Sequence, residues 1–249
     1  MKKVHFLIAI LLLCCRISAQ NHFDALMLDS TSVCVKMAIA DKDVKGEWVI
    51  GPFLRPKVGN PILEPQPISF YCPMRKEQVK WEESDVFNPA ATVKDGKIIV
   101  LYRAEDNSAQ GIGKRTSRIG YAESTNGVTM ERLDSPVLFP GADEFENIEC
   151  PGGCEDPRVA MTEDGLYVML YTAWNRKTPR LAVATSNNLK NWTKHGLAFE
   201  KAYDGRFGRI ATKSASILTK VKGGKLVIDK VDGKYFMYWG EYAVHAAVS

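Results

Sequence analysis

The chain has 249 residues, of which 45% are hydrophobic and 25% charged, and its formal net charge is +4. Lys2, Lys3 and Arg16 supply three of those four net charges with no acid among the first nineteen residues, so the remainder carries only +1. With no Lys/Arg cluster elsewhere, a nucleic-acid surface is excluded, and the length allows one domain with a sizeable core.

The N-terminus reads as a targeting segment. Lys2 and Lys3 precede the apolar run Phe6 to Cys15, and Ser18-Ala19-Gln20 offers a small-residue cleavage point. The run is too short to cross a membrane comfortably. Cys14 and Cys15 raise a lipid anchor as the alternative, but Leu13 stands where a small residue is expected and Arg16 follows directly. Residues 1–19 are therefore read as a cleaved secretory signal. The mature protein is expected to be secreted or periplasmic, with no membrane contact after cleavage. Residues 20–74 carry no motif and are read as an N-terminal extension or a strand that closes the fold.

From about residue 75 the chain repeats. Asp95-Gly96, Asp164-Gly165 and Asp232-Gly233 each feed a β-branched and aromatic run, and their starts lie 69 and 68 residues apart. An Asp-Gly pair before such a run is a hairpin signal. A second strand is expected after the first two copies, at Arg118–Ser124 and Arg180–Ser186, and the start of a third at His245–Ser249. Short strands at a fixed period point to radial repetition. The fold class expected is all-β, a β-propeller. Residues 75–249 hold roughly two and a half such blades where a ring needs about four or more, so the chain reads as the N-terminal part of a longer propeller.

Just before the first two repeats, and within the first and third, lie the positions that carry chemistry. Asn88 precedes Pro89, and Asp156 precedes Pro157, so each polar side chain is held at the mouth of a strand. Proline is expected to keep Asp156 extended, with Arg158 beside it. On the repeat register Arg103 matches Thr172 and Gly240, and Glu241 matches Ala104 and Ala173. Charged groups at or next to small-residue positions face either a cavity or an exposed strand end. Trp174 and Trp239 are read as cleft walls, and Trp192 as a turn aromatic packed between blades.

Cys34, Cys72, Cys150 and Cys154 remain after cleavage. An oxidising compartment permits disulfides, and a Cys150–Cys154 bridge would close a small loop beside Asp156; free buried thiols are the equal alternative. His195 and His245 stand alone, with no Cys or His pair at zinc-ligand spacing. No metal or other cofactor is expected.

Four motifs in order, Phe87-Asn88-Pro89-Ala90, Leu101-Tyr102-Arg103-Ala104-Glu105-Asp106, Ser117-Arg118-Ile119-Gly120-Tyr121-Ala122 and Glu155-Asp156-Pro157-Arg158, resemble glycoside hydrolase family 130. The resemblance covers roughly Trp81 to Glu241. It implies a five-bladed β-propeller acting on β-mannoside oligosaccharides by phosphorolysis or hydrolysis. It makes Asp156 the proton donor, working in phosphorylases through the sugar's 3-hydroxyl. It places Asn88 and Arg103 around the non-reducing-side mannose, with Arg118 and Arg158 as further substrate-binding candidates. Trp239 replaces the histidine of the phosphorylases' Tyr-His-Gly pattern, and Glu241 follows the glycine where a carboxylate would repel phosphate. The expectation is inverting hydrolysis of β-1,2-linked mannose, with Asp156 and Glu241 catalytic and Trp239 substrate-binding. A phosphorylase releasing mannose 1-phosphate and a non-catalytic sugar-binding propeller are the alternatives.

Overall fold

A computed structural model of the protein describes residues 59–249. The expected signal segment 1–19, residues 20–58 and Cys34 lie outside them. The described part begins with β1 (Gln66–Cys72) and β2 (Glu77–Glu82), an antiparallel hairpin forming its own sheet. A first meander follows: β3 (Asp85–Lys94), β4 (Lys97–Glu105), β5 (Ser117–Ser124) and the short β6 (Glu131–Arg132), each antiparallel to the last. The single-turn helix α1 (Glu146–Glu149) leads into a second meander, β7 (Gly153–Met161), β8 (Tyr167–Trp174), β9 (Pro179–Ser186) and β10 (Thr193–Leu197).

After a 3-10 turn at Arg206–Arg209 come β11 (Ser216–Ile217) and the hairpin β12 (Thr219–Lys222) with β13 (Lys225–Ile228). β14 (Lys230–Val231), β15 (Lys234–Trp239) and β16 (His245–Val248) complete the described chain, with β11, β14 and β16 all paired to β15. The three repeat copies are thus β4, β8 and β15, and their expected partners are β5, β9 and β16.

Local chemistry explains the hairpins. Asp95 and Gly96 (φ 50° and 74°) link Lys94 to Lys97, and Asp232 and Gly233 (φ 50° and 76°) link Val231 to Lys234. Two positive-φ residues suit the right-handed twist of the strands they join. The exits from β5 and β9 also match each other. Ser124 Oγ accepts from the amides of Asn126 and Gly127, and Ser186 Oγ accepts from those of Asn188 and Leu189. Trp192 caps the second of these turns by donating to Leu189 O at 3.0 Å.

Strand alternation builds the core as layers between units. Val100, Tyr102 and Ala104 of β4 pack with Phe70 and Trp81 of the first hairpin. Ile99 and Leu101, on the other face, join Met169, Tyr171 and Ala173 of β8. Leu170 of β8 turns away, toward Leu181, Phe199 and the partly buried Met237 and Trp239 of the third unit. Sheets stacked face to face at a fixed repeat are the arrangement expected of propeller blades. Ala104 and Ala173, the small residues of the repeat register, are fully buried. Five blades are not shown by residues 59–249, and no closed barrel forms.

One seam joins the first two units directly. Ser117 pairs with Gly153 in parallel, and Ser117 N donates to Gly152 O at 2.8 Å. Gly153 has φ 108°, and a Cβ there would lie 2.0 Å from Ser117 O, so only glycine fits. Cys72, Cys150 and Cys154 are free thiols, and the small disulfide loop does not form. Cys154 is instead fully buried in the layer between the first two units, where desolvation pushes its thiol well up. Burial likewise pushes Cys150 up to about 11. Among the described residues no helix is long and apolar enough to cross a membrane.

Candidate active site

Two prolines create the site. Pro89 and Pro157 cannot donate to a strand ladder, and the register of β3 and β7 slips at them, between Phe87 and Ala90 and between Glu155 and Arg158. The residues ahead of them, Asn88 and Asp156, take φ values of 45° and 50°. The expected extended backbone at Asp156 is thereby corrected to a left-handed one: the bulge sets two residues against one and rotates the chain. Such a conformation costs a non-glycine residue roughly 1–2 kcal/mol, least for Asn and Asp. Its result is convergence, since Asn88 Nδ2 donates to Asp156 Oδ1 at 2.9 Å.

Arg103 supports that pair from below. Its side chain is only 4% exposed, and Nη1 donates to Asp156 Oδ1 at 3.1 Å. Nη2 stands 2.5 Å from Glu105 Oε1 and 2.8 Å from Glu155 Oε1, while Nε donates to Ser117 Oγ at 3.1 Å. The Phe87 ring covers the guanidinium at 4.6 Å. Burial alone would lower the Arg103 pKa, but Glu155, Asp156 and Glu105 together outweigh it and raise it. Glu155, with a side chain 5% exposed, is pushed up to about 7, chiefly by burial and further by the Asp156 charge, against the pull of Arg103. Arg115 pairs with Asp85 and reaches Glu105 Oε2 at 3.5 Å.

The third unit supplies the opposite wall. Thr212 docks on β9, its amide donating to Pro179 O and its Oγ1 accepting from Leu181 N. Lys213 follows, with its carbonyl bound by the Gly240 amide at 2.9 Å. Lys213 Nζ lies 3.8 Å from Asp156 Oδ2 and 3.9 Å from Glu241 Oε1. Asp156 is 11% exposed and Glu241 45%, so the gap between them opens to solvent.

Asn88, Arg103, Asp156 and Glu241 are brought together, and three other candidates are not. Arg118 is fully buried, donating to Asp106 Oδ2 at 2.9 Å beneath the Phe70 ring. Arg158 is exposed and donates to Pro157 O, so Arg103 and not Arg158 is the guanidinium on Asp156. Trp239 packs at 4.8 Å on Phe199 and 4.7 Å on His245, inside the layer between the second and third units. Trp174 donates to Gly113 O at 2.7 Å, tying down the loop that precedes β5. Glu105, Ser117, Glu155 and Lys213 were not anticipated. Glu105, Ser117 and Glu155 lie inside the family motifs; Lys213 has no motif to mark it. Among the described residues no three His, Cys, Asp or Glu side chains are grouped to hold a metal ion.

The arrangement can grip hydroxyls through an amide, pass a proton through a fixed carboxyl and draw one from water at a second. A family model for glycoside hydrolase family 130, described as β-1,4-mannooligosaccharide phosphorylase, matches residues 57–249. A 1,2-β-oligomannan phosphorylase from Thermoanaerobacter sp. is 32% identical over 173 residues, which is 68% of this chain and 50% of that protein. The chain spans about half the length of the curated relatives it matches. A solved structure from Bacteroides ovatus, provisionally assigned as a glycoside hydrolase, is 73% identical with a TM-score of 0.77, over 82% of this chain and 58% of that one. Another comes from work on glycoside hydrolases of family 130 that target β-1,2 mannosidic linkages in Candida mannan. It is 59% identical with a TM-score of 0.80, over 83% of this chain and 58% of that one.

Proposed function

The chain belongs to glycoside hydrolase family 130, and we propose that it serves a five-bladed propeller enzyme that hydrolyses β-1,2-linked mannosides with inversion. The observation that carries this reading is Asp156, fixed on one oxygen by Asn88 and Arg103 while its other oxygen faces Lys213, which also reaches Glu241. The substrate is a β-mannoside oligosaccharide. Asn88 offers a neutral sugar both a donor and an acceptor, and Arg103, engaged with protein groups, acts by aiming Asp156.

The proton passes by a relay: the sugar's own hydroxyl carries it to the leaving oxygen and Asp156 replenishes that hydroxyl, so the carboxyl need not touch the leaving group. Glu241, the more exposed carboxylate, draws a proton from the attacking water. One ammonium lies 3.8 Å and 3.9 Å from the two carboxylates, so both border one gap, as the acid and base of an inverting glycosidase must. The 59% identical structure, from work on hydrolases that target β-1,2 mannosidic linkages, supports the linkage and the reaction. Phosphorolysis is the second reading. It is favoured by Lys213, a cation at the mouth that phosphate could take, and by the names of the curated relatives.

Incubating the full protein with β-1,2-mannobiose, with and without inorganic phosphate, tests the choice. Free mannose at a phosphate-independent rate is expected. Mannose 1-phosphate as the main product overturns hydrolysis in favour of the second reading.

A further inference from the structure

Three carboxyls share one guanidinium beneath the site, and their contacts are unequal. Glu105 receives Arg103 Nη2 at 2.5 Å, Arg115 Nη1 at 3.5 Å and the Gly113 amide at 3.5 Å. Asp156 receives Arg103 Nη1, Asn88 and, more distantly, Lys213. Glu155 receives only a share of the Nη2 already bound to Glu105, at 2.8 Å. Ser117 Oγ lies 3.2 Å from Glu105 Oε1 and 3.4 Å from Glu155 Oε1, and its single proton serves one of them at a time. Glu155 is the carboxyl with the fewest partners, and it is almost wholly buried.

We propose that Glu155 is a positioning residue that holds a proton in the working enzyme and, by staying neutral, leaves Arg103 free to hold Asp156. The charged groups facing it are Arg103 and Glu105 from β4, Asp156 from its own strand and Lys213 from the stretch before β11. Arg115 acts on it only through Glu105. When Glu155 ionises, a second full negative charge competes for the guanidinium from the Nη2 side. Arg103 then swings toward Glu155 and Glu105, and its Nη1 bond to Asp156 loosens. Desolvation places this loss near neutrality, where Glu155 titrates at about 7. The coupling needs no contact between Glu155 and substrate. It rests on the proposed function only for its effect on turnover.

The test is a carboxyl-carbon NMR titration of the full protein, without substrate, on wild type and Glu155→Gln. In wild type the Asp156 carboxyl is expected to show an inflection at the midpoint of Glu155. In Glu155→Gln that inflection vanishes. Turnover of wild type falls about tenfold per pH unit above the Glu155 midpoint, and the alkaline limb moves up in Glu155→Gln. An Asp156 signal without the Glu155 inflection in wild type overturns the proposal, and so does an inflection that persists in Glu155→Gln. Should Glu155→Gln not fold, the wild-type titration decides alone. Absence of any mannoside turnover counts against the proposed function and leaves the titration to judge the coupling.

Discussion

Lys213 Nζ stands 3.8 Å from Asp156 Oδ2 and 3.9 Å from Glu241 Oε1, so one ammonium bridges carboxylates from the second and third units. Neither distance is a tight hydrogen bond. The lysine is spaced to balance charge across an open gap, where a substrate or a water can enter between its two partners.

Asp156→Asn is expected to cut turnover by about 10²–10⁴-fold, the range for loss of a general acid or base. The amide has nearly the same shape, so the fold should persist. Measuring kcat and Tm on one preparation checks both halves. A large fall in Tm with activity per folded molecule intact would mean that Asp156 is structural.

Lys213→Met separates the two reactions. Under hydrolysis added phosphate changes neither protein's rate. A wild-type rate that saturates with phosphate, with a raised KM for phosphate in Lys213→Met, would place the anion on Lys213 and favour phosphorolysis.

Backbone strain at Asn88 is measurable by comparing Asn88→Gly with Asn88→Ala. Both lose the 2.9 Å bond to Asp156, but only alanine keeps a Cβ at φ 45°. The glycine variant should be the more stable by about 1–2 kcal/mol, or roughly 2–4 °C of Tm for each kcal/mol. Both should lose turnover. Equal Tm values would show that the bulge is unstrained.

Glu155 sets a pH dependence of stability. Its folded pKa of about 7 lies above the ordinary 4.5, so between those values the folded state binds more protons than the unfolded one. Stability therefore falls as pH rises through that window, by up to ~3 kcal/mol. Thermal melts of wild type against Glu155→Gln from pH 4 to 8 check this, and the gap between them should widen toward the alkaline end. Parallel curves would remove Glu155 as the source.

The strands were legible because Asp95-Gly96 and Asp232-Gly233 punctuate them and because β4 is a continuous β-branched and aromatic run, buried on both faces. Asn88 and Asp156 were legible through the prolines that follow them. Arg158 misled for a physical reason: two residues after Asp156 on a regular strand it would share a face, but the bulge at Pro157 breaks the alternation. Arg118 and Arg103 look alike in sequence, and they part only because Asp106 and Phe70 enclose the one while Asp156 lies open above the other. Trp239 is claimed by Phe199 and Phe207, which lie in a stretch outside the repeat. Lys213 arrives from a different unit on a segment with no periodic signal, and Glu155 hides beside the more conspicuous Asp156.

The twin bulges have a consequence for direction. Asn88 and Asp156 sit 68 residues apart on like backbones, and their side chains differ at one terminal atom, an amide nitrogen against an oxygen. What breaks the equivalence behind them is Arg103, whose counterpart on the second unit is Thr172. Of the two hydrogen-bonded side chains only Asp156 can give up or take a proton, so any group that reaches the pair meets a proton-exchanging side and a fixed amide side on backbones that otherwise match.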